Sequence, residues 1–525
     1  MILLLRLTMP RFQNYDYRQH ILLSVNLEEQ LQPGTFEHAL HYLIDNKIDL
    51  SVFHDHYNND VTGRRAYDPA LLLKIVLFAY YKKVRSSRDI EWCCHTNILF
   101  KALSCDLVPH WTTIADFVSG HTDAIALVFE QILLVCDQQG LLGHELLAID
   151  GCKMSSNAAK EWSGTIDELE SKHAKLKREI AHHLAEHKAQ DQLGHDDQCA
   201  RHQQAIDTLS RGADKIEKFL SDASPRMGKG KRPKEVKSNI TDNESAKMTT
   251  SKGTIQGYNG VATVDKKHQV IVDASAFGEG QEHHALQPVL EKVNERYHRL
   301  GRDDQLLTKV IVTADTGFAN EANMVYLHEN NINGYIPDNQ FRSRDPKFLD
   351  RKAKHPQWLR QDRKSHYLIP AKQFDFDPVN KTCVCPTGEA MWLRRDGVDP
   401  SGHPKLFFEG RLTKCRACAL KSKCMRNPAS ANTRKGHGRQ VSFILDDKRA
   451  PTFTDWMKHR VDSPQGKQIY SHRMSVVEPV FGNIGYNKQL NRFSLRGKAK
   501  VNAQWQLYCM VHNIEKLQRY GQIAA

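Results

Sequence analysis

The sequence predicts a mixed α/β fold preceded by an all-helical region, and three observations predict it. In the middle of the 525-residue chain, short apolar runs alternate with helical periods, the pattern of strands packed against helices rather than of a bundle or a sandwich. Two of those runs, Leu146-Leu-Ala-Ile-Asp150 and Lys309-Val-Ile-Val-Thr-Ala-Asp315, each end in an aspartate. Ahead of them, residues 68–140 carry only helix signals.

The helical region opens at Asp68-Pro69, where Pro at the first helical position gives up an N–H that would be unpaired anyway. Leu71, Leu72, Ile75, Val76 and Ala79 follow on one face. A polar break at Arg85-Ser-Ser-Arg-Asp89 precedes a second helix with Ile90 and Trp92, and further helices are expected near Trp111 to Phe117 and Ala124 to Cys136. Lys82, Lys83, Arg85 and Arg88 beside polar turns suit DNA docking; a packing or dimerisation role suits the region equally.

The α/β region opens with the strand that ends at Asp150. Gly257 to Val264 and Gln269 to Ala276 flank the polar turn Asp265 to His268, a hairpin signal. A helix is expected from His283 to about Leu300, then the strand ending at Asp315, a helix from Asn320 to Glu329 and a strand at Gly334 to Pro337. Two insertions interrupt this order. In the first, Ile166, Leu169, Leu176, Ile180 and Leu184 make one stripe and Ile206, Leu209, Ile216 and Leu220 another, with Gly194 between, which predicts an antiparallel helical hairpin. Its six histidines between residues 171 and 202 read as solvated. A run from Arg226 to Lys237 follows with six basic residues against one acidic; Lys229, Lys231 and Arg232 there are candidate phosphate contacts, and a solvated linker is the alternative. The second insertion, about 341–465, holds five of the twelve cysteines. Beyond it, Leu507, Met510, Ile514 and Leu517 share one face of a helix.

Charge and composition narrow the function. Seventy-four Lys and Arg against 61 Asp and Glu leave +13, which favours a polyanionic partner. The apolar run Met1 to Leu5 stops at Arg6, far short of the ~20 residues of a membrane span and of a signal peptide's apolar core. The expected setting is the cytoplasm, where the cysteines are reduced thiols or metal ligands rather than disulfides. The glycines at 228, 230 and 253 form no phosphate-binding loop.

Two aspartates at the ends of neighbouring strands are well placed to share a divalent cation, since Mg²⁺ takes carboxylate and phosphate oxygens. Such a site matters only if the two strands pair, and it needs a third acid. The motifs around the aspartates are specific. Ala148-Ile-Asp-Gly-Cys-Lys-Met-Ser-Ser-Asn157 resembles the first catalytic block of the DDE insertion-sequence transposases, and Thr313-Ala-Asp-Thr-Gly-Phe318 the second. Asp242, Ser245, Met248 and Gln256-Gly-Tyr-Asn259 resemble the lead into that family's central hairpin. Tyr470-Ser-His-Arg473 with Val477-Glu-Pro-Val-Phe-Gly-Asn-Ile484, running on into Asn491-Arg-Phe-Ser-Leu-Arg-Gly497, resembles the third block. Asp68-Pro69 to Lys74 and Thr112-Thr-Ile-Ala-Asp-Phe117 are similar to the helical domain that precedes this core, so the resemblance runs from about residue 60 to 520.

The resemblance implies an RNase H-like mixed sheet with flanking helices, an all-helical N-terminal domain, a helical-hairpin insertion and a Cys-rich insertion. The implied organisation is an N-terminal segment at 1–60, a helical domain at 61–140, and a catalytic core in three pieces at 141–163, 238–340 and 466–525. The hairpin and basic linker at 164–237 and the Cys-rich insertion at 341–465 separate those pieces. It implies Asp150, Asp315 and Glu478 as catalytic ligands of Mg²⁺ or Mn²⁺, and Tyr470, Arg473 and Lys488 as DNA contacts. The implied activity is binding of an element's terminal inverted repeats, cleavage to a 3′-hydroxyl and in-line joining to target DNA, with no covalent protein intermediate. A homodimer on the DNA and a bacterial, nucleoid-associated location go with it.

Two features depart from the family pattern. Four residues separate Arg473 from Glu478 where many relatives have three, and Gly485 stands where a Lys is common, with Lys488 three further on. Pro479 also disfavours helix at Glu478, which predicts a helix start or kink there. Asp273, Glu282 and Glu515 are rival third acids without a motif around them.

In the second insertion, Cys385, Cys415, Cys418 and Cys424 satisfy the four-thiolate count of structural zinc, with Cys383 an equal substitute for Cys385; reduced thiols without metal are the alternative. Similar Cys-rich insertions occur in this branch of the family. A catalytically silent DNA-binding descendant, or a metal-dependent nuclease that cuts without joining, would share most of these features.

Overall fold

A computed structural model describes residues 25–57, 65–192, 196–228, 233–301, 306–348, 368–398, 403–445 and 451–522. Lys229, Lys231, Arg232 and Gly194 lie outside the described residues.

The N-terminal region is helical: α1 (Phe36–Asn46), α2 (Pro69–Tyr81), α3 (Ser87–Thr96), α4 (Ile98–Ser104), α5 (Trp111–Gly120) and α6 (Thr122–Gln138). Asp68 caps α2 as the sequence predicts, its carboxylate accepting the Ala70 N–H at 2.7 Å. The sequence reading lacked α4, a seven-residue helix too short to show a period.

The central sheet is mixed. Its strands are β1 (Leu146–Ser155), β2 (Ala246–Thr250), β3 (Gly253–Asp265), β4 (Ile271–Phe277), β5 (Ile311–Ala314) and β6 (Gly334–Tyr335). β3 runs antiparallel to β1, and β2 and β4 antiparallel to β3; β5 lies parallel to β1 on its other side, and β6 parallel to β5. Helices α9 (Leu286–Arg299) and α10 (Glu321–Glu329) connect the later strands. The first insertion forms two long helices, α7 (Ile166–Gln192) and α8 (Asp196–Asp222). Its histidines are not all left to solvent, since His183 and His202 meet Nδ1 to Nδ1 at 3.1 Å across the pair.

The second insertion contains a fold the sequence did not announce. β7 (Asp375–Asp377), β8 (Thr382–Val384), β9 (Ala390–Val398), β10 (Pro404–Gly410) and β11 (Gln440–Ile444) form an antiparallel sheet in the order β11-β10-β9-β8-β7. Phe374, Cys383, Met391, Leu406, Phe408 and Val441 make a small core of its own.

The C-terminal helices are α11 (Phe453–Asp462), α12 (Pro464–Ser471), α13 (Arg473–Gly482) and α14 (Lys498–Tyr520). The last is buried on nearly every side from Val501 to Leu517, because it lies between β4 and α6. Trp505 donates its indole N–H to the Val261 carbonyl at 3.0 Å, and Tyr508 stacks on Tyr80 of α2 at 4.3 Å. One apolar core therefore runs from Leu31 through the sheet to Leu517. Among the described residues no single helix is long and apolar enough to cross a membrane.

Pro479 sits inside α13, which overturns the helix start of the two alternatives expected there and leaves the kink. A proline there leaves the carbonyl four residues back, that of Ser475, without its helical donor. Gln269, held at φ +61° in the hairpin turn, donates its side-chain amide to that oxygen at 3.0 Å. The helix then widens into a π turn at Asn483–Asn487 before it ends.

Candidate functional site

The two aspartates meet because their strands pair. In the parallel register Ile149 lies opposite Ala314, so the next residue on each strand is its aspartate. Asp150 accepts the Gly151 N–H on Oδ1 at 2.8 Å and faces Arg473 Nη2 through Oδ2 at 2.7 Å. Asp315 caps a short turn, accepting from the Thr316 N–H and, at 3.0 Å, from its hydroxyl. Burial pushes the Asp150 carboxyl up to about 6; Arg473 and the Gly151 N–H oppose this, and Asp315 and Glu282 add to it.

Glu282 is the residue the motifs passed over. It lies in the turn between β4 and α9 and reaches both aspartates' neighbours. A Cβ on Gly317 would stand in contact with its Oε2, and one on Gly151 would come within 3.0 Å of its Oε1. Two glycines, each within two residues of an aspartate, thus make room for this carboxylate. Asn259 Nδ2 donates to its Oε1 at 3.1 Å, while the buried Asn259 Oδ1 has no hydrogen-bond partner among the described residues. Burial raises the Glu282 carboxyl, the Asn259 bond opposes this, and Asp315 raises it further. The signal in the sequence was the pair Gly151 and Gly317 beside the two aspartates, legible only once the pairing is known.

Tyr470 and Arg473 also arrive here. Burial pushes the Tyr470 hydroxyl up to about 12, with Arg473 opposing and Asp315 adding. Arg473 is 6% exposed, its guanidinium turned inward to Asp150. Glu478 is placed differently: it is exposed on α13. At 3.6 residues per turn, five residues past Arg473 is a rotation of about 140° beyond a full circle, whereas a four-residue step would bring the two side chains onto one face. The extra residue between Arg473 and Glu478 therefore turns the acid away from the side on which Arg473 meets Asp150. Of the other rivals, Asp273 pairs with Arg296, and Glu515 pairs with Lys488. Cys152 is no nucleophile, because burial, Asp150 and Glu282 all push its thiol up.

Lys488, expected on DNA, is 4% exposed and turned into the protein. Its ammonium meets Glu515 at 2.5 Å and lies 4.2 Å from the centre of the Tyr81 ring. Lys488→Ala is accordingly expected to cost about 3–5 kcal/mol of stability, because it strands the Glu515 carboxylate. Urea unfolding reads this directly, and a wild-type midpoint would refute the structural role. The Asp242 to Asn259 motif is also largely internal bonding: Tyr258 donates to Asp242 at 2.7 Å and Gln256 to Ser245 at 2.7 Å, all buried.

In the second insertion, Cys385, Cys415, Cys418 and Cys424 line one small cavity of about 40 Å³. Cys383 is turned into the small core, its thiol 3.8 Å from the Met391 sulfur, which separates it from the other four. Space has been left for Cys415: a Cβ on Gly410 would come within 2.7 Å of its Sγ and one on Gly438 within 3.2 Å. Among the described residues no three His, Cys, Asp or Glu side chains stand close enough together to hold a metal ion as they are. Both groups nonetheless suit a metal in their chemistry. Carboxylate and amide oxygens with an unpartnered Asn259 Oδ1 suit a hard divalent cation, and four thiols with a glycine-made cradle suit zinc.

Comparison with known families gives two matches. Residues 384–518 match the model described as a transposase DDE domain, and residues 25–120 match a transposase domain of the DUF772 family. The first match takes in the four cavity cysteines, Tyr470, Arg473 and Glu478; Asp150, Asp315 and Glu282 fall outside it. Neither a curated protein nor a solved structure matches the chain.

Proposed function

We propose, from the premise that the chain is a transposase with a DDE domain and an N-terminal DUF772 transposase domain, that it cuts an insertion sequence at its terminal inverted repeats and joins the ends to target DNA. The observation that carries this reading is the β1–β5 register, which sets Asp150 and Asp315 side by side. The path β4-β3-β1-β5-β6, antiparallel up to β1 and parallel beyond it, is the order of an RNase H-like sheet, with β2 added beside β3, and supports a phosphoryl-transfer core.

Asp150 and Asp315 would hold Mg²⁺ or Mn²⁺ with a third acid. The family resemblance assigns that acid to Glu478, and the packing at Gly151 and Gly317 favours Glu282. Bound there, the cation would supply Lewis-acid stabilisation of the charge that builds on the phosphate oxygens. The protein's own groups do the positioning. Arg473 pairs with Asp150 and, with Tyr470, would contact the phosphate of the cut strand. The excess of basic residues makes binding salt-dependent. The N-terminal helices at 61–140 would dock or pair two copies on the DNA, and the cysteine cavity would hold a structural zinc. A cytoplasmic location, at the nucleoid when bound, follows from the substrate.

The test is a labelled duplex carrying the element's own terminal repeat, incubated with Mg²⁺ and a target plasmid. Release of a 3′-hydroxyl end and its transfer into the plasmid is the expected result. Cutting without transfer would leave a nuclease, and binding without cutting a silent DNA-binding descendant.

A further inference from the structure

We propose that the cleft between the α2–α3 turn and the loop at 491–494 binds an unpaired stretch of DNA strand, with a base stacked on Trp92. The inference rests on the reading of the protein as a DNA-acting enzyme and adds a site to it. The cleft has a volume of about 750 Å³ and is lined by Lys83, Arg85, Trp92, Asn157, Asn491 and Arg492, among others. That is the scale of a small-molecule pocket, about 300–1,000 Å³, and suits a short run of one strand.

Its charge and its aromatic face both select the ligand. Lys83, Arg85 and Arg492 stand against one carboxylate, Asp89, among the lining residues. Trp92 is 65% exposed, so its indole face is open to a ligand in the cleft. One turn back on α3, Arg88 lies 4.5 Å from the centre of the Trp111 ring of α5, a second cation set against an aromatic ring. Sequence-tolerant binders of single strands combine these two features, cations for the backbone and an aromatic ring for the bases. A duplex keeps its base faces inside its own stack and offers Trp92 none.

The walls are held in place. Arg85 donates to the Gln489 carbonyl at 2.9 Å and to Asn491 Oδ1 at 2.8 Å, tying the α2–α3 turn to the loop. Arg492 donates to the Ser156 carbonyl at 3.2 Å, and Asn157 to the Ser494 carbonyl at 3.0 Å, tying the loop to the end of β1. Asn157 is seven residues beyond Asp150, about 20 Å along an extended chain. The cleft is thus within reach of the DNA flanking a phosphate held at the acid pair.

The experiment is fluorescence anisotropy of the full chain with a labelled single-stranded oligonucleotide and, separately, with the same sequence as a duplex. Wild type, Trp92→Ala and Trp92→Phe are compared across a salt series. Trp92→Ala is expected to lose about tenfold in single-strand affinity, with Trp92→Phe recovering most of it and duplex affinity unchanged. The salt slope should not move, because no charge is removed. An equal loss on duplex, or no loss on single strand, overturns the proposal, as does a wild type that binds duplex alone. A wild type that binds neither form sinks the DNA reading itself. An unchanged thermal melt of Trp92→Ala confirms that the exposed residue carries no fold.

Discussion

Asp150→Asn and Asp315→Asn are each expected to lower strand cleavage by at least about 10³-fold, the scale of losing a charge-stabilising group in phosphoryl transfer. Substrate binding should persist in both, because the basic surface is untouched, and gel shift beside the cleavage assay separates the two effects. The third acid is decided in the same series. Glu282→Gln and Glu478→Gln differ in what they do to the free protein. Glu282 is a partly buried carboxylate beside two others, so its neutral form should raise the unfolding midpoint; Glu478 is exposed and its neutral form should leave it alone. Loss of cleavage with a raised midpoint assigns the acid to Glu282; loss with an unchanged midpoint assigns it to Glu478. A variant that keeps full cleavage leaves the acid set.

The pH dependence has a definite sign. The folded protein holds the Asp150 proton more tightly than a free carboxyl at 3.8 does, with a folded value of about 6. The stability that comes with the proton is present in full below about 3.8 and is lost as the pH rises through about 6. Asp150→Asn mimics the protonated state throughout. It should therefore melt above wild type at pH 8 by a few degrees, with the two curves meeting below about pH 4. A mutant that melts below wild type at pH 8 would mean that pairing with Arg473 outweighs burial at this site.

What the sequence made legible was local. The strands that carry Asp150 and lead into Asp315, the hairpin between Gly257 and Ala276, the capped start at Asp68 and the face of Leu507, Met510, Ile514 and Leu517 all follow from periodicity and turn chemistry, and all are present, although the first strand runs on to Ser155 and holds Asp150 in its middle rather than at its end. What was hidden depends on residues far apart in the chain. Lys488 looked available until its partner Glu515, 27 residues on, was brought against it. Pro479 looked like a helix boundary because nothing local satisfies the Ser475 carbonyl; Gln269, 206 residues earlier, does so. Glu282 has no motif because its neighbours are set by sheet register. The sheet at 375–444 escaped because two of its strands are only three residues long and the longest is largely exposed, so that they carry little apolar alternation.

That small sheet bears the second large prediction. Six buried side chains make its core, too few to hold a unit of this size without a further crosslink. Zinc at Cys385, Cys415, Cys418 and Cys424 would supply one, since structural zinc contributes about 10–16 kcal/mol in small zinc-dependent folds. The purified protein is expected to carry one zinc per chain. Cys415→Ser and Cys418→Ser should lose it and become open to proteolysis between residues 368 and 445. The central sheet should keep its own melt, because its core does not include these residues. Cys383→Ala provides the contrast: it faces the six-residue core rather than the cavity, so it should retain zinc and lose only packing. A protein that holds no zinc and resists protease equally with and without the cysteines would make the cavity a group of reduced thiols. Zinc lost on Cys383→Ala and kept on Cys385→Ser would exchange the two in the ligand set. That result would require the chain to rearrange where it leaves β8 at Val384: residues two apart on a strand share a face, and Cys385 reaches the cavity only because it lies beyond the strand that holds Cys383 in the core.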